Sequence, residues 1–266
     1  MYFQVRKNQI SGELLKVDLT PFFREQGVDV FAEVSIDNLP DKDRSSVVHF
    51  FPDARFVIVF GKEVPVPVYL MPPKEKTREM LRIAEGLDET AARLSARLEG
   101  EHIPALPVPL YLPVRIADGR VQGVVRLKQA AAAGGLGSLG GNTVLISPRF
   151  GPRLLLGGVV TAHRAGGSDQ LPVSAGPEAA PVCTGCGQCI SVCPEGALGP
   201  DGVDTFRCRT VHAWVPSFLV PAIRWMIGRT IVLRCMAPLA PWIARTATIR
   251  CSLCVTKCPV FSGNAE

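Results

Sequence analysis

No cysteine occurs in the first 182 residues, and all nine of the chain's cysteines lie from Cys183 to Cys258. A disulfide framework running through the fold is therefore excluded, and any thiol chemistry belongs to the C-terminal third. The N-terminal residues show no continuous apolar run and no twin arginine, so they do not read as a secretory or Tat signal, and the expected address is the cytoplasm. Long apolar runs are missing too. Residues 129–148 carry no charge, but their Gly, Ser, Asn and Thr content argues against a membrane span. Acidic side chains are absent between Asp118 and Asp169 and again between Asp204 and Glu266. The net charge of +5 consequently hides an asymmetry, with −2 over the first hundred residues and +7 over the rest. Such acid-free stretches suit solubility, an anionic ligand, an acidic partner or a membrane surface.

With 266 residues, 47% of them hydrophobic, the chain can bury one large core or two modest ones. Residues 28–36 alternate apolar and polar positions as a half-buried strand does, and residues 55–61 read as a more buried strand. A short helix is expected over 43–51. Beyond Pro72 and Pro73 an apolar stripe through Met80, Ile83, Leu87, Ala91, Leu94 and Leu98 marks a long helical segment, which Gly86 is expected to divide. The proline-rich residues 104–113 suggest extended chain packed on a surface, and 122–133 a second helix. Strands follow at 143–147 and 154–161, the latter broken by Gly157 and Gly158. Residues 165–180, rich in Gly, Pro, Ser and Ala, mark the boundary between a first domain, 1–170, and a second, 171–266.

Gly135, Gly137 and Gly140 spell a literal G-x-G-x-x-G, but a helix precedes them and a strand follows, which inverts the order a dinucleotide site requires. A Rossmann site is rejected. What remains is a tight helix-to-strand loop in which Gly135, Gly137, Gly140, Gly141 and Asn142 are candidates to approach a cofactor through their backbone. A turn needing positive φ angles explains the glycines as well.

Cys183, Cys186, Cys189 and Cys193, followed by Pro194, reproduce the bacterial ferredoxin spacing C-x2-C-x2-C-x3-C-P. In that motif three thiolates hold one cubane and the fourth reaches another. Near the C-terminus Cys251, Cys254 and Cys258, followed by Pro259, supply three more. Two four-iron clusters need eight thiolates, and Cys208 is the eighth in this reading, although spacing alone also admits Cys235. Cross-ligation then predicts cluster I on Cys183, Cys186, Cys189 and Cys258, and cluster II on Cys193, Cys208, Cys251 and Cys254. Zinc is the competing metal for C-x2-C pairs, but the complete run with its proline favours iron–sulfur. Residues 209–250 form an insert carrying Trp214, Phe218, Trp225 and Trp242 among arginines. It is compatible with a helical hairpin packed on the cluster domain, a docking face for a redox partner protein, or peripheral membrane contact.

Taken together, two blocks resemble the epoxyqueuosine reductase family and the related corrinoid-dependent reductive dehalogenases. One runs from Lys128 through the glycines to Asn142 and on through Leu145, Pro148, Gly151, Leu156, Gly157 and Thr161; the other is the cysteine pattern with Asp204 and Phe206 before Cys208. The resemblance covers roughly residues 45–266. It implies an α+β fold: an N-terminal nitroreductase-like α/β sandwich that holds a cobalamin, followed by a C-terminal bacterial-type 2[4Fe-4S] ferredoxin domain with a helical insert. It also implies single-electron delivery through two [4Fe-4S] clusters to the cobalamin or to a small-molecule substrate. The family's acidic proton donor, about fourteen positions before the Gly-Leu-Gly, has no counterpart at Val121, Gln122 or Gly123, and Gly141 stands where the family usually has lysine. Tyr111 and His163 are alternative proton donors, and no catalytic residue is assigned. The alternative function is a non-catalytic electron-transfer or docking subunit. tRNA binding is a third class, resting on positive charge.

Overall fold

The computed structural model describes residues 18–110, 114–117, 120–165, 183–199, 202–212, 221–222, 225 and 248–262. Its framework is a four-stranded sheet made of β1 (Val30–Ser35), β2 (Phe56–Glu63), β3 (Ala105–Pro107) and a late strand, Leu154–Thr161. The late strand pairs antiparallel with both β2 and β3, and β1 pairs antiparallel with β2 at the edge. Successive strand residues point to opposite faces, which explains why β2 is apolar almost throughout. Val57 and Val59 enter one core, and Ile58 and Phe60 enter the other.

Helices cover both faces. α1 (Thr20–Glu25), α2 (Asp41–Phe50) and α3 (Val66–Leu70) precede the long α4 (Pro73–Gly100). Ile83, Leu87, Ala91, Leu94 and Leu98 of α4 recur every three or four residues, so they form one stripe, buried against Phe23, Phe60 and Val159. The helix runs unbroken through Gly86, contrary to the division expected from sequence. A mid-helix glycine costs about 1 kcal/mol relative to alanine. Burying each larger aliphatic side chain of the stripe returns roughly 1.5–3 kcal/mol, so the stripe prevails. On the other face α5 (Leu127–Ala133) sets Ala130 and Ala131 against Ala32, Val34 and Val160.

The helix expected from residue 122 begins later. β4 (Val114–Ala117) and β5 (Arg120–Gly123) pair antiparallel, and α5 starts only at Leu127. Asp118 and Gly119 lie between those strands in sequence, a dipeptide that favours a two-residue hairpin connection, so the hairpin takes the stretch the helical periodicity had suggested. After α5 come the short antiparallel pair β6 (Ser138–Leu139) and β7 (Leu145–Ile146), then the sheet strand β8 (Leu154–Thr161). Gly157 and Gly158 do not break β8. A Cβ on Gly157 would lie 2.7 Å from the Phe60 ring, and one on Gly158 would lie 2.5 Å from Leu127, so the pair lets both layers close on the strand.

The C-terminal part contains α6 (Gln188–Ser191), the antiparallel pair β9 (Leu198–Gly199) and β10 (Gly202–Val203), α7 (Arg209–His212) and α8 (Leu253–Thr256). The proposed boundary at 165–180 and most of the insert at 209–250, with Cys235, Trp214, Phe218 and Trp242, lie outside the described residues. Trp225 of the insert is described, and its side chain is exposed. No helix among the described residues is long and apolar enough to cross a membrane.

Candidate functional site

The glycine at 187 adopts φ 71° and turns the chain into α6, which carries Cys189, while α8 carries Cys254 and packs against α6. The eight cysteines among the described residues are free thiols, and Cys186 is the exposed one of these. Their electrostatic neighbours divide them into two sets. Cys183 and Cys186 act on Cys189, and all three act on Cys258. Cys208, Cys251 and Cys193 act on Cys254. Cys258 thus lies with the first three cysteines of the first motif, and Cys193 with the first two of the second motif and Cys208.

Burial, with a lesser contribution from the three neighbouring thiols, pushes the Cys254 thiol up to about 11. Burial likewise raises Cys189 and Cys258, opposed by backbone N–H groups of Ile190 and Val260 respectively. The Ala197 N–H donates to Cys193 Sγ at 3.3 Å. Crowded thiols of this kind give up protons when a metal takes the negative charge, and N–H donors then stabilise the thiolates. Among the described residues no three His, Cys, Asp or Glu side chains converge on a single-ion site, and a cubane spreads its four thiolates wider than one ion does. The donor set fits an iron–sulfur cluster.

The glycine-rich loop is wedged against this region. Gly135 has φ 76° after α5, a Cβ on Gly137 would lie 2.2 Å from the Ile146 carbonyl oxygen, and Gly140 packs on Ile146 and Asn142. A Cβ on Gly141 would meet Cys189 Sγ at 3.4 Å. Buried Asn142 donates from Nδ2 to the Cys254 carbonyl at 3.0 Å and accepts from the Val144 N–H at 3.2 Å. Of these five residues, Gly141 meets the first thiol set and Asn142 the second, while Gly135, Gly137 and Gly140 shape the loop that holds them there.

Further contacts fasten the junction. Lys76 Nζ donates to Ser252 Oγ at 3.2 Å, and the Ile249 N–H donates to Thr77 Oγ1 at 2.7 Å. Arg153, 4% exposed, pairs with Glu63 and donates to the carbonyls of Phe261 at 2.6 Å and Ser262 at 3.0 Å. Tyr69 meets the Phe261 ring edge-on, 5.2 Å between centroids.

Burial pushes the Tyr69 phenol up to about 12, with nearby Cys254 adding to the rise and Arg153 opposing it. A group whose folded value exceeds its unfolded value stabilises the fold below the unfolded value, and that contribution is lost as pH rises through the folded one. Alkaline unfolding is therefore expected to include a component, a loss of about 1.4 kcal/mol per pH unit, between roughly pH 10 and pH 12. Tyr69→Phe should remove that component in urea titrations at a series of pH values, and an unchanged pH slope would refute it.

Beside the junction opens a cavity of about 790 Å³. Asp88 of α4, Leu155 and Gly157 of β8, Lys128 of α5 and Gly141 line it, and Val203 of β10 closes it from the cysteine-rich side. Arg126, also on its wall, holds buried Asp43 through two bonds of 2.5 and 2.8 Å. Lys128 donates to the Thr143 carbonyl at 3.0 Å, and burial lowers its pKa while Cys254 opposes the shift. Solvent reaches its side chain although protein surrounds it within the concavity. Asp88 accepts from the Leu110 N–H at 3.1 Å and is the carboxylate on the wall among the described residues. Lys76, Asp88 and Arg126 carried no distinguishing mark in the sequence. Lys128 offered one signal, since it stands directly before the uncharged stretch 129–148. His163 is exposed beyond the far end of β8 and does not line the cavity, and Tyr111 lies outside the described residues.

Residues 182–199 match the family model for a 4Fe-4S binding domain. An epoxyqueuosine reductase of Listeria monocytogenes is 32% identical over 97 residues, covering 35% of this chain and 24% of the relative. One from Bacillus cereus is 28% identical over 159 residues, covering 58% of this chain and 35% of the relative. The fold is similar to that of an epoxyqueuosine reductase solved with an epoxyqueuosine-modified tRNA-Tyr stem loop, with a TM-score of 0.55, 18% identity, and coverage of 93% of this chain and 65% of that one. The match spans about a quarter to a third of the curated relatives' length and just under two thirds of the solved chain. The chain is thus similar to epoxyqueuosine reductases in sequence and in fold, and its residues 182–199 match a 4Fe-4S binding domain.

Proposed function

We propose that the chain is an iron–sulfur oxidoreductase that moves single electrons through two [4Fe-4S] clusters to the cavity beside the glycine-rich loop. The observation that carries this reading is the division of eight thiols into two sets of four, with Cys254 of one set tied to the cavity loop through Asn142. Cluster I takes Cys183, Cys186, Cys189 and Cys258, and cluster II takes Cys193, Cys208, Cys251 and Cys254. The exposed Cys186 makes cluster I the point where a redox partner delivers electrons. Cluster II, beside Lys128 and Asn142, hands them on.

The cavity is proposed as a corrinoid site. Residues 1–170 then form a nitroreductase-like domain facing a ferredoxin domain at 171–266, whose insert at 209–250 is helical. About 790 Å³ lies high in the range of roughly 300–1,000 Å³ usual for small-molecule sites, and the mouth open to solvent leaves room for a larger ring to project. Val108, Leu127, Leu139 and Leu156 would supply its apolar walls, and the Gly140–Gly141 backbone permits close approach. A corrinoid bound there supplies low-potential one-electron chemistry, while the protein orients the substrate and limits water. The stem-loop complex of the solved relative supports tRNA as the substrate class.

A second reading, an electron-transfer subunit without catalysis, is supported by the lack of an acid at Val121, Gln122 and Gly123. Anaerobic purification with iron and cobalt analysis, followed by cobalamin titration under EPR, separates the two. The corrinoid reading expects about eight irons and saturable cobalamin binding; about eight irons with no cobalamin affinity would establish the second reading instead.

A further inference from the structure

Lys76 occupies the first turn of α4 and is 5% exposed, an unusual place for an ammonium group. Among the described residues no carboxylate lies within ion-pair distance of it. Its hydrogen-bond partner is the Ser252 hydroxyl, and the group acting on it electrostatically is the Cys251 thiol. A buried cation without a counter-ion is costly, and burial lowers the Lys76 pKa; the Cys251 thiol opposes that shift, and a cluster held there would supply the compensating negative charge. The positive end of the 28-residue helix α4 points the same way, since Thr77 in that turn takes the Ile249 N–H two residues before Cys251.

We infer that Lys76 is a positioning residue that sets the reduction potential of cluster II. The inference rests on the two-cluster reading above. A cubane gains one unit of negative charge when it takes an electron, so a fixed cation nearby favours the reduced form. The field of a charge sheltered from water is weakly screened, and it acts on cluster II rather than cluster I. Cys189 and Cys258 are governed by burial, their own backbone N–H donors and one another's thiols. Lys128 adds a second cation beside Cys254, with a smaller effect because water in the cavity screens it. Cluster II is thereby the electron's preferred resting place next to the cavity.

The test is an anaerobic EPR redox titration of the full chain in its parent form and as Lys76→Met, Lys76→Arg and Thr77→Val. Lys76→Met is expected to lower the ratio of reduced cluster II to reduced cluster I about tenfold, which is about 59 mV for one electron. Lys76→Arg keeps the charge and should keep the ratio. Thr77→Val cuts the neighbouring docking bond without changing charge and should also keep it. An unchanged ratio in Lys76→Met, or an equal fall in Thr77→Val or Lys76→Arg, overturns the inference. If Lys76→Met fails to assemble, Lys76→Gln, which retains a donor for Ser252, is read against the same outcomes. About eight irons in the parent with an unchanged ratio in the variant leaves the two-cluster reading intact, whereas about four irons in the parent defeats both.

Discussion

Replacing Cys258 with alanine is expected to halve bound iron, from about eight to about four atoms per chain, and to remove the signal of cluster I while cluster II persists. The expectation runs against sequence proximity, because Cys258 is four residues from Cys254 and far from Cys183. Its thiol neighbours are nevertheless Cys186, Cys183 and Cys189. Cys193→Ala should do the converse, since Cys193 acts on Cys254 together with Cys208 and Cys251. Iron analysis with EPR of the reduced variants reads both at once. Loss of cluster II from Cys258→Ala, with cluster I retained, would show that each motif closes its own cluster.

Arg153→Met is expected to destabilise the protein by about 3 kcal/mol, toward the lower end of the 3–5 kcal/mol typical when one partner of a buried ion pair is removed. The lower end applies because Glu63 is 32% exposed and regains water, whereas Arg153 is 4% exposed. The carbonyls of Phe261 and Ser262 lose their donors at the same time. Gly151 shows how little slack this contact has: its φ is 55°, and a Cβ there would fall 1.9 Å from the Val260 carbonyl oxygen. Because Phe261 follows Cys258 by three residues, freeing this segment should also loosen cluster I. Urea unfolding of the iron-loaded variant, followed in parallel by circular dichroism and cluster absorbance, should show the cluster I absorbance lost at lower urea than the helices. Coincident loss at the parent's midpoint would mean that Arg153 does not fasten the segment.

The metal-binding pattern was the most legible part of the sequence because cubane ligation fixes residue type and spacing over a few positions. The bounds of strand β8 were legible because a buried strand requires an apolar run bounded by polar or turn residues, but its continuity through Gly157 and Gly158 was not, because only the packing of Phe60 and Leu127 calls for those glycines. The helix expected from residue 122 failed because periodicity over a dozen residues could not compete with a hairpin whose decisive signal was the Asp118–Gly119 dipeptide. The glycine loop was recognised as a place of close approach, but what approaches it includes Cys189 and the Cys254 carbonyl, some fifty and more than a hundred residues onward. Asp88 and Lys76 could not be singled out, since on a helix of alternating charges only the tertiary fold decides which face meets the cavity or the cysteines.

The most direct measurement of the central claim is double integration of the EPR spectrum of fully reduced protein, alongside iron determined on the same sample. Two interlocked clusters predict about eight irons and about two spins per chain, with line broadening from magnetic interaction between neighbouring centres. About four irons and one sharp, isolated spin would contradict it.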